Sequence, residues 1–287
     1  MIVRLFYWLL YHNCLNFIPD KWMISIQFRI FLNRKMNWKD PQTYNEKLNW
    51  LKYHENFLEY NRYVDKYEVR KYVAERVGEQ YLVPLLGVWD SAEDIDFSLL
   101  PEKFVLKCNH GSHCSIICTE KSRLDISDVL LKMSKWMKMN WYWFYREKPY
   151  RYVRPRILAE KFMGNDNNDI PVDYKVFCSD GIPQIIRADV DRFKDSVSYN
   201  YYTLDWERSS LQFTKISDEE LSRPICLTEM LDLSARLSQG FKHVRVDWYV
   251  VGDKLYFGEM TFYNAAGYDT DFIRYEDDLA FGRMLNL

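Results

Sequence analysis

The chain lacks a surplus of either charge: 39 Lys and Arg stand against 41 Asp and Glu, a formal net charge of −2 over 287 residues. Without an overall basic field, nothing in the balance argues for nucleic acid as a partner. It also lacks a long apolar run. Leu5-Phe-Tyr-Trp-Leu-Leu10 falls far short of the ~20 apolar residues that span a bilayer, and His12 and Asn13 interrupt it. No small-residue cleavage site follows, so a secretory leader is not expected. Cys14, Cys108, Cys114, Cys118, Cys178 and Cys226 have no disulfide-framework spacing, which predicts reduced thiols and a cytoplasmic setting. Internal repeats, low-complexity linkers and a Ser/His/Asp or Cys/His catalytic constellation are missing as well.

What is present in excess is aromatic. Phe, Trp and Tyr make up 17% of the chain, which excludes disorder and suits a packed body with an amphipathic surface for sugars or partners. The aromatics before residue 30, with Arg4, Lys21 and Arg29, resemble an interfacial helix. A helix packed on the body is the expectation there, and a peripheral contact with the inner face of a membrane stays open. Residues 44–76 carry apolar positions at helical spacing, Gly78 ends that run, and Tyr81-Leu-Val-Pro84 begins an extended stretch. Strands are predicted at 104–109, 115–120, 156–162, 174–178, 184–190, 196–204, 243–251 and 255–262. A helix near 226–239 buries Leu227, Met230, Leu231, Ser234 and Leu237. The fold class is α+β with antiparallel strands.

The chemistry starts at Phe104-Val-Leu-Lys-Cys-Asn-His-Gly-Ser-His-Cys-Ser115. A strand ends in Lys107, and a loop with Gly111, Ser112 and Ser115 follows. A lysine beside exposed backbone N–H groups is what a polyphosphate needs, although the run fits neither common phosphate-binding glycine motif. Glu160 lies within an apolar strand, where an acid is costly without a fixed partner. Asp173 and Lys175 share a strand face, as residues i and i+2 do. Arg245-Val-Asp247 and Glu259-Met-Thr261 place polar groups at alternate positions of two neighbouring strands, and two acids there suit a hard cation.

In this order, Asp65-Lys66, Phe104–Lys107, Gly111-Ser112, Glu160, Asp173-x-Lys175, Arg245-x-Asp247 and Glu259-x-Thr261 resemble an ATP-grasp enzyme. The TupA-like branch, of teichuronopeptide-biosynthesis type and found among bacterial surface-polysaccharide proteins, is the most similar. Thr43-Tyr-Asn-Glu-Lys-Leu, Asp65–Arg70, Tyr81–Pro84, Asn109-His-Gly-Ser and Tyr256–Phe262 support it, over about residues 40–270. The resemblance implies two α+β lobes clasping ATP. A helical segment at 1–60 would precede an ATP-grasp domain at 61–287, with a small lobe at about 100–160 and a C-terminal lobe at about 161–287. It implies that Lys66 and Lys107 hold ATP phosphates under a loop of Gly111, Ser112 and Ser115. Glu160 would lie beside the adenine, Asp173 at the ribose and Lys175 at the phosphates. Asp247 and Glu259 would bind Mg²⁺, with Thr261 or Asn264 as third ligand, and Arg245 would steady the transferring phosphoryl group. Two departures stand out. Thr261 occupies a position where many of these ligases have Asn, and no Rossmann-like leading lobe precedes residue 60.

The implied reaction activates a carboxylate, on a small molecule or a glycan, as an acyl phosphate that an amine attacks. Glycosyltransferase or kinase activity on the same lobes is the alternative, and a degenerate scaffold the third. Asp189-Val-Asp191 fits a D-x-D metal motif literally, but Arg187 and Arg192 around it are at least as plausible as substrate contacts. Trp136 and the aromatic run Trp141–Tyr145, with Arg146, Lys148, Arg151, Arg154 and Arg156, read equally as an anionic-glycan platform or as lobe core with a basic turn. Cys108, His110, His113, Cys114 and Cys118 crowd together without zinc-site spacing. Asp247 and Glu259 can share a metal only on one face of their hairpin. A two-residue Gly252-Asp253 turn would put Glu259 on the other face, so an odd-length loop is predicted.

Overall fold

A computed structural model describes residues 2–55, 57–165, 170–190 and 198–287. The chain opens with helices α1 (Ile2–Tyr11), α2 (Asp20–Leu32) and α3 (Tyr44–His54). Helix α3 starts where it does because Thr43 and Glu46 cap it reciprocally. The Thr43 hydroxyl accepts from Glu46 N, and the Glu46 carboxylate accepts from Thr43 N at 3.0 Å. Short helices α4 (Asn61–Val64) and α5 (Val69–Arg76) follow.

Two antiparallel sheets carry the rest. The first joins β1 (Leu85–Trp89), β2 (Phe104–Cys108), β3 (Ser115–Cys118) and β4 (Ile157–Lys161) in the order β1-β4-β2-β3. Phe104, Leu106, Ile157 and Ala159 are buried on one face with Val129 and Met133 of α6 (Ile126–Met137). Strand alternation then turns Lys107 and Glu160 to the opposite face. A single turn of helix, α7 (Tyr142–Tyr145), lies between α6 and β4.

The second sheet joins β5 (Asp173–Ser179), β6 (Ile182–Asp189), β7 (Tyr199–Tyr202), β8 (His243–Val251) and β9 (Lys254–Thr261) in the order β7-β6-β5-β8-β9. Helix α8 (Leu227–Ser238) covers its apolar face, where the Trp248 indole N–H donates to Ser234 Oγ at 2.8 Å. The other face divides along its length. Phe177 and Tyr201 pack near Tyr44 and near Phe281 of the last helix, α9 (Tyr275–Gly282). Beyond them come the charged residues.

The α+β class with antiparallel strands and a helical N-terminal segment holds. Most predicted strands stand with their ends moved by a residue or two: those at 104–109, 115–120 and 156–162 are trimmed, while those at 174–178 and 184–190 begin earlier, at Asp173 and Ile182. The expected strand at 196–204 is Tyr199–Tyr202, and residues 196 and 197 lie outside the described residues. Helix α6 went unpredicted, although Asp125 caps it by accepting from Asp128 N at 3.0 Å. In α8, Leu233 is buried and Leu231 only half-buried.

The odd-length loop is overturned. Val251 pairs with Lys254 across a two-residue turn in which Gly252 takes φ 61°. The ladder then shifts: Trp248 pairs with Phe257, but Val246 pairs with Met260. One extra residue on β9 therefore opposes Asp247, a bulge at Gly258–Glu259. It returns Glu259 to the face of Asp247, so the expected facing stands for a different reason. Gly258 suits the position because a Cβ there would lie 3.3 Å from the Asp247 Cβ.

Candidate functional site

The first sheet supplies a small charged group. Lys107 Nζ lies 2.6 Å from Glu160 Oε2, and Arg70 Nη1 lies 3.4 Å from Glu160 Oε1. Glu160, expected beside the adenine, is thus the shared partner of two cations. The loop after Lys107 is anchored at its first residue. Asn109 Oδ1 accepts from Arg156 N at 2.7 Å, and its Nδ2 donates to Arg154 O at 2.9 Å. Gly111 is buried against Trp141, whose indole leaves no room for a Cβ, while Ser112 and Ser115 are exposed. Lys66 connects this loop to the second sheet: its Nζ donates to Gly111 O at 2.9 Å and lies 3.1 Å from Glu259 Oε2.

The second sheet gathers a deeper cluster. Lys175 stands opposite Asp247 on one side and Arg187 on the other. Its Nζ contacts Asp173, reaches Asp189 Oδ2 at 3.2 Å and lies 3.5 Å from Asp247 Oδ2. Arg187 Nε donates to Asp189 Oδ1 at 2.6 Å while its guanidinium lies over the Tyr199 ring. Burial alone would raise the Asp189 carboxyl, but Lys175 and Arg187 outweigh it and hold it below the usual range.

Arg245 organises the hairpin acids. It holds Asp247 by two bonds of 2.7 Å, from Nε and Nη2, and Nη2 reaches Glu259 Oε1 at 3.1 Å. Its Nη1 donates to Asn264 Oδ1 at 2.6 Å. Burial works against the Arg245 charge, and the carboxylates outweigh it, raising its pKa further. Thr261 Oγ1 donates to Glu259 Oε1 at 3.0 Å, whereas the Asn264 side-chain carbonyl accepts from Arg245. Among the described residues no group of three or more His, Cys, Asp or Glu is placed to hold a metal. Two facing carboxylates still fit Mg²⁺, which binds through one or two carboxylates together with substrate phosphates.

The expected residues therefore form one run of contacts: Gly111, Lys66, Glu259, Arg245, Asp247 and Lys175, continuing to Asp189 and Arg187. Lys107 and Glu160 sit apart on the first sheet. Arg192 and Asp191 lie outside the described residues. The aromatic run after Trp141 is largely internal, for Arg146 is fully buried and donates to Leu15 O at 2.9 Å.

Sequence reasoning missed the support under this network. Asn45, Asn49 and Lys52, at i, i+4 and i+7 on α3, are all buried. Lys52 Nζ donates to Ala266 O at 2.7 Å, Asn49 Nδ2 to Gly267 O at 2.6 Å, and Asn45 Nδ2 to Asp269 O at 3.1 Å. They hold a strained segment, since Ala265 and Ala266 both take positive φ, 47° and 54°. Burial pushes the Lys52 amine down to about 7. The signal was present, as these residues interleave with Tyr44, Leu48 and Leu51.

The TupA-like ATPgrasp family model matches residues 46–286. No curated protein matches the chain. Solved structures similar to it include D-alanine–D-alanine ligase from Bacillus anthracis complexed with ATP, at 17% identity and TM-score 0.46, covering 72% of this chain and 57% of that one. D-alanine–D-alanine ligase from Helicobacter pylori is 13% identical at TM-score 0.45, covering 85% and 67%. The ATP-grasp ligase PsnB, complexed with a phosphomimetic variant of minimal precursor, Mg and ADP, is 13% identical at TM-score 0.42, covering 84% and 61%. This chain thus spans little more than half of the first of these. The match to the family model runs through both sheets and every site residue described above, and the chain belongs to the TupA-like ATPgrasp family.

Proposed function

We propose that the protein is an ATP-dependent ligase that joins a carboxylate to an amine, acting in the cytoplasm on a bacterial surface glycan or its precursor. The observation that carries the reading is the convergence of Asp247, Glu259 and Arg245 on one sheet face, tied by Lys66 to the loop after Lys107. The glycan class rests on the family resemblance.

In this reading Lys66 and Lys107 balance phosphate charge, and the Gly111–Ser115 loop offers backbone and hydroxyl donors. Asp247 and Glu259, with Thr261, would hold Mg²⁺, which supplies positive charge at the phosphoryl oxygens. A substrate carboxylate oxygen attacks the γ-phosphorus of ATP and ADP leaves. The amine nitrogen then attacks the carbonyl carbon of the acyl phosphate, forming the C–N bond, releasing phosphate and giving up a proton. Arg245 and Lys175 are fixed before the reaction, and such preorganised charge lowers the barrier without a covalent nucleophile.

The test is stoichiometric. With a uronic-acid glycan and an amino acid, ADP and phosphate should appear only when both are present, and hydroxylamine should replace the amine and yield a hydroxamate. UDP released from a UDP-sugar without ATP consumption would overturn the reading.

A further inference from the structure

The N-terminal helices bury only part of the apolar surface they carry. Helices α1 and α2 pack together through Phe6, Leu10 and Met23, with Phe144 of α7 against them. Ile24 and Phe28 are buried as well, but other large side chains face out: Leu5 is 58% exposed, Trp8 55%, Phe17 83% and Trp22 70%. Of eighteen exposed large hydrophobic side chains among the described residues, eight lie between Val3 and Ile26, so the apolar surface is concentrated on this one hairpin. Scattered single exposures need no explanation, but a concentration of this kind marks a surface that meets something.

Charge and chemistry identify the occupant. Residues 1–39 contain six Lys and Arg against one Asp, in a chain whose net charge is −2. Arg4 and Arg29 are exposed beside the aromatics, and Lys135 of α6 lies 5.5 Å over the Tyr11 ring. Tryptophan, tyrosine and basic residues together are the composition of the headgroup layer, where rings sit at the polar boundary and cations meet lipid phosphates. A second copy fits less well, because an isologous contact would set two basic surfaces against each other. No described helix is long and apolar enough to cross a membrane, and α1 at 10 residues reaches only ~15 Å.

We propose that the α1–α2 hairpin docks in the plane of an anionic bilayer surface, through Leu5, Trp8, Phe17 and Trp22 with Arg4 and Arg29. The hairpin lies outside the run of site contacts, so this docking stands whether or not the ligase reading does.

Flotation of the full chain with vesicles tests it. The protein should rise with phosphatidylcholine vesicles containing 30% phosphatidylglycerol, and not with phosphatidylcholine alone. Binding should fall at least tenfold at 0.5 M salt, and at least tenfold in a Trp8→Glu, Trp22→Glu double variant that keeps the parent's circular-dichroism spectrum and melting temperature. Equal binding by parent and double variant, or no binding of the parent to anionic vesicles, overturns the proposal. So does a dimer in sedimentation that the double variant dissolves while vesicle binding is absent.

Discussion

In the four-stranded sheet Lys107 and Glu160 meet at 16% and 9% side-chain exposure, whereas in the five-stranded sheet Lys175 meets Asp173, Asp189 and Asp247 at 6%, 1%, 4% and 3%. The first pair lies within reach of water, and Arg70 gives Glu160 a second cation. The second group depends on itself. Desolvation makes each buried charge there expensive alone, and Lys175 and Arg245 supply the opposite charges that offset it. The first sheet should therefore tolerate the loss of a charge better than the second.

The largest effect should follow from cutting the deeper group. Lys175→Met leaves three acids around an apolar side chain and should lower unfolding free energy by about 3–5 kcal/mol in urea titrations. A loss under about 1 kcal/mol would erase the contrast between the sheets.

A neutral group in the same sheet, at the start of β8, sharpens it. The His243 ring lies between Tyr44 OH, at 3.0 Å from Nε2, and Phe262 O, at 2.8 Å from Nδ1. Burial pushes its pKa down to about 4, and the nearby Arg245 opposes a second positive charge. The unfolded chain takes up a proton near pH 6.5 that the folded chain refuses until about pH 4. Stability contributed by the neutral ring is therefore complete above pH 6.5 and declines as pH falls toward 4, by about 3 kcal/mol in all. Subtracting the acid limb of a His243→Gln variant from that of the parent should isolate this decline. Parallel limbs would show that the ring is protonated in the fold.

The smallest effect on the fold is expected at Lys107. Lys107→Ala should change stability by less than about 1 kcal/mol, since Arg70 still faces Glu160. It should nevertheless weaken Mg·ATP binding by about 1.5–3 kcal/mol in calorimetry, the worth of a charge-assisted contact. An unchanged affinity removes Lys107 from the nucleotide site.

Arg245, Asp247, Glu259 and Thr261 were legible because polar residues alternating through Trp248, Val250, Leu255 and Phe257 have no solvent-side explanation. The route by which they face each other was not, since a bulge adds one residue to one strand and leaves no periodic trace. Asp189 was visible and was read only as half of a chance D-x-D tripeptide; its link to Lys175 needs the pairing of β5 with β6. Asn45, Asn49 and Lys52 were hidden for another reason. Polar residues on a helix read as its wet side until a strained segment such as Ala265-Ala266 is seen to need their bonds. Helix α6 was left unassigned, although Val129 and Met133, at i and i+4, mark its buried face.

The bulge at Gly258 also bears on how relatives of this protein are to be recognised. Removing that one residue would leave Trp248 paired with Phe257 and Val246 with Met260, now through an unbroken ladder, with Asp247 directly opposite Glu259. The distance along the chain between the two acids can therefore differ by one residue in such a hairpin while both keep a shared side. A search pattern that insists on one fixed gap between the aspartate and the glutamate would discard chains in which both acids stand on the same side as here, and one that tolerates a single missing residue would keep them.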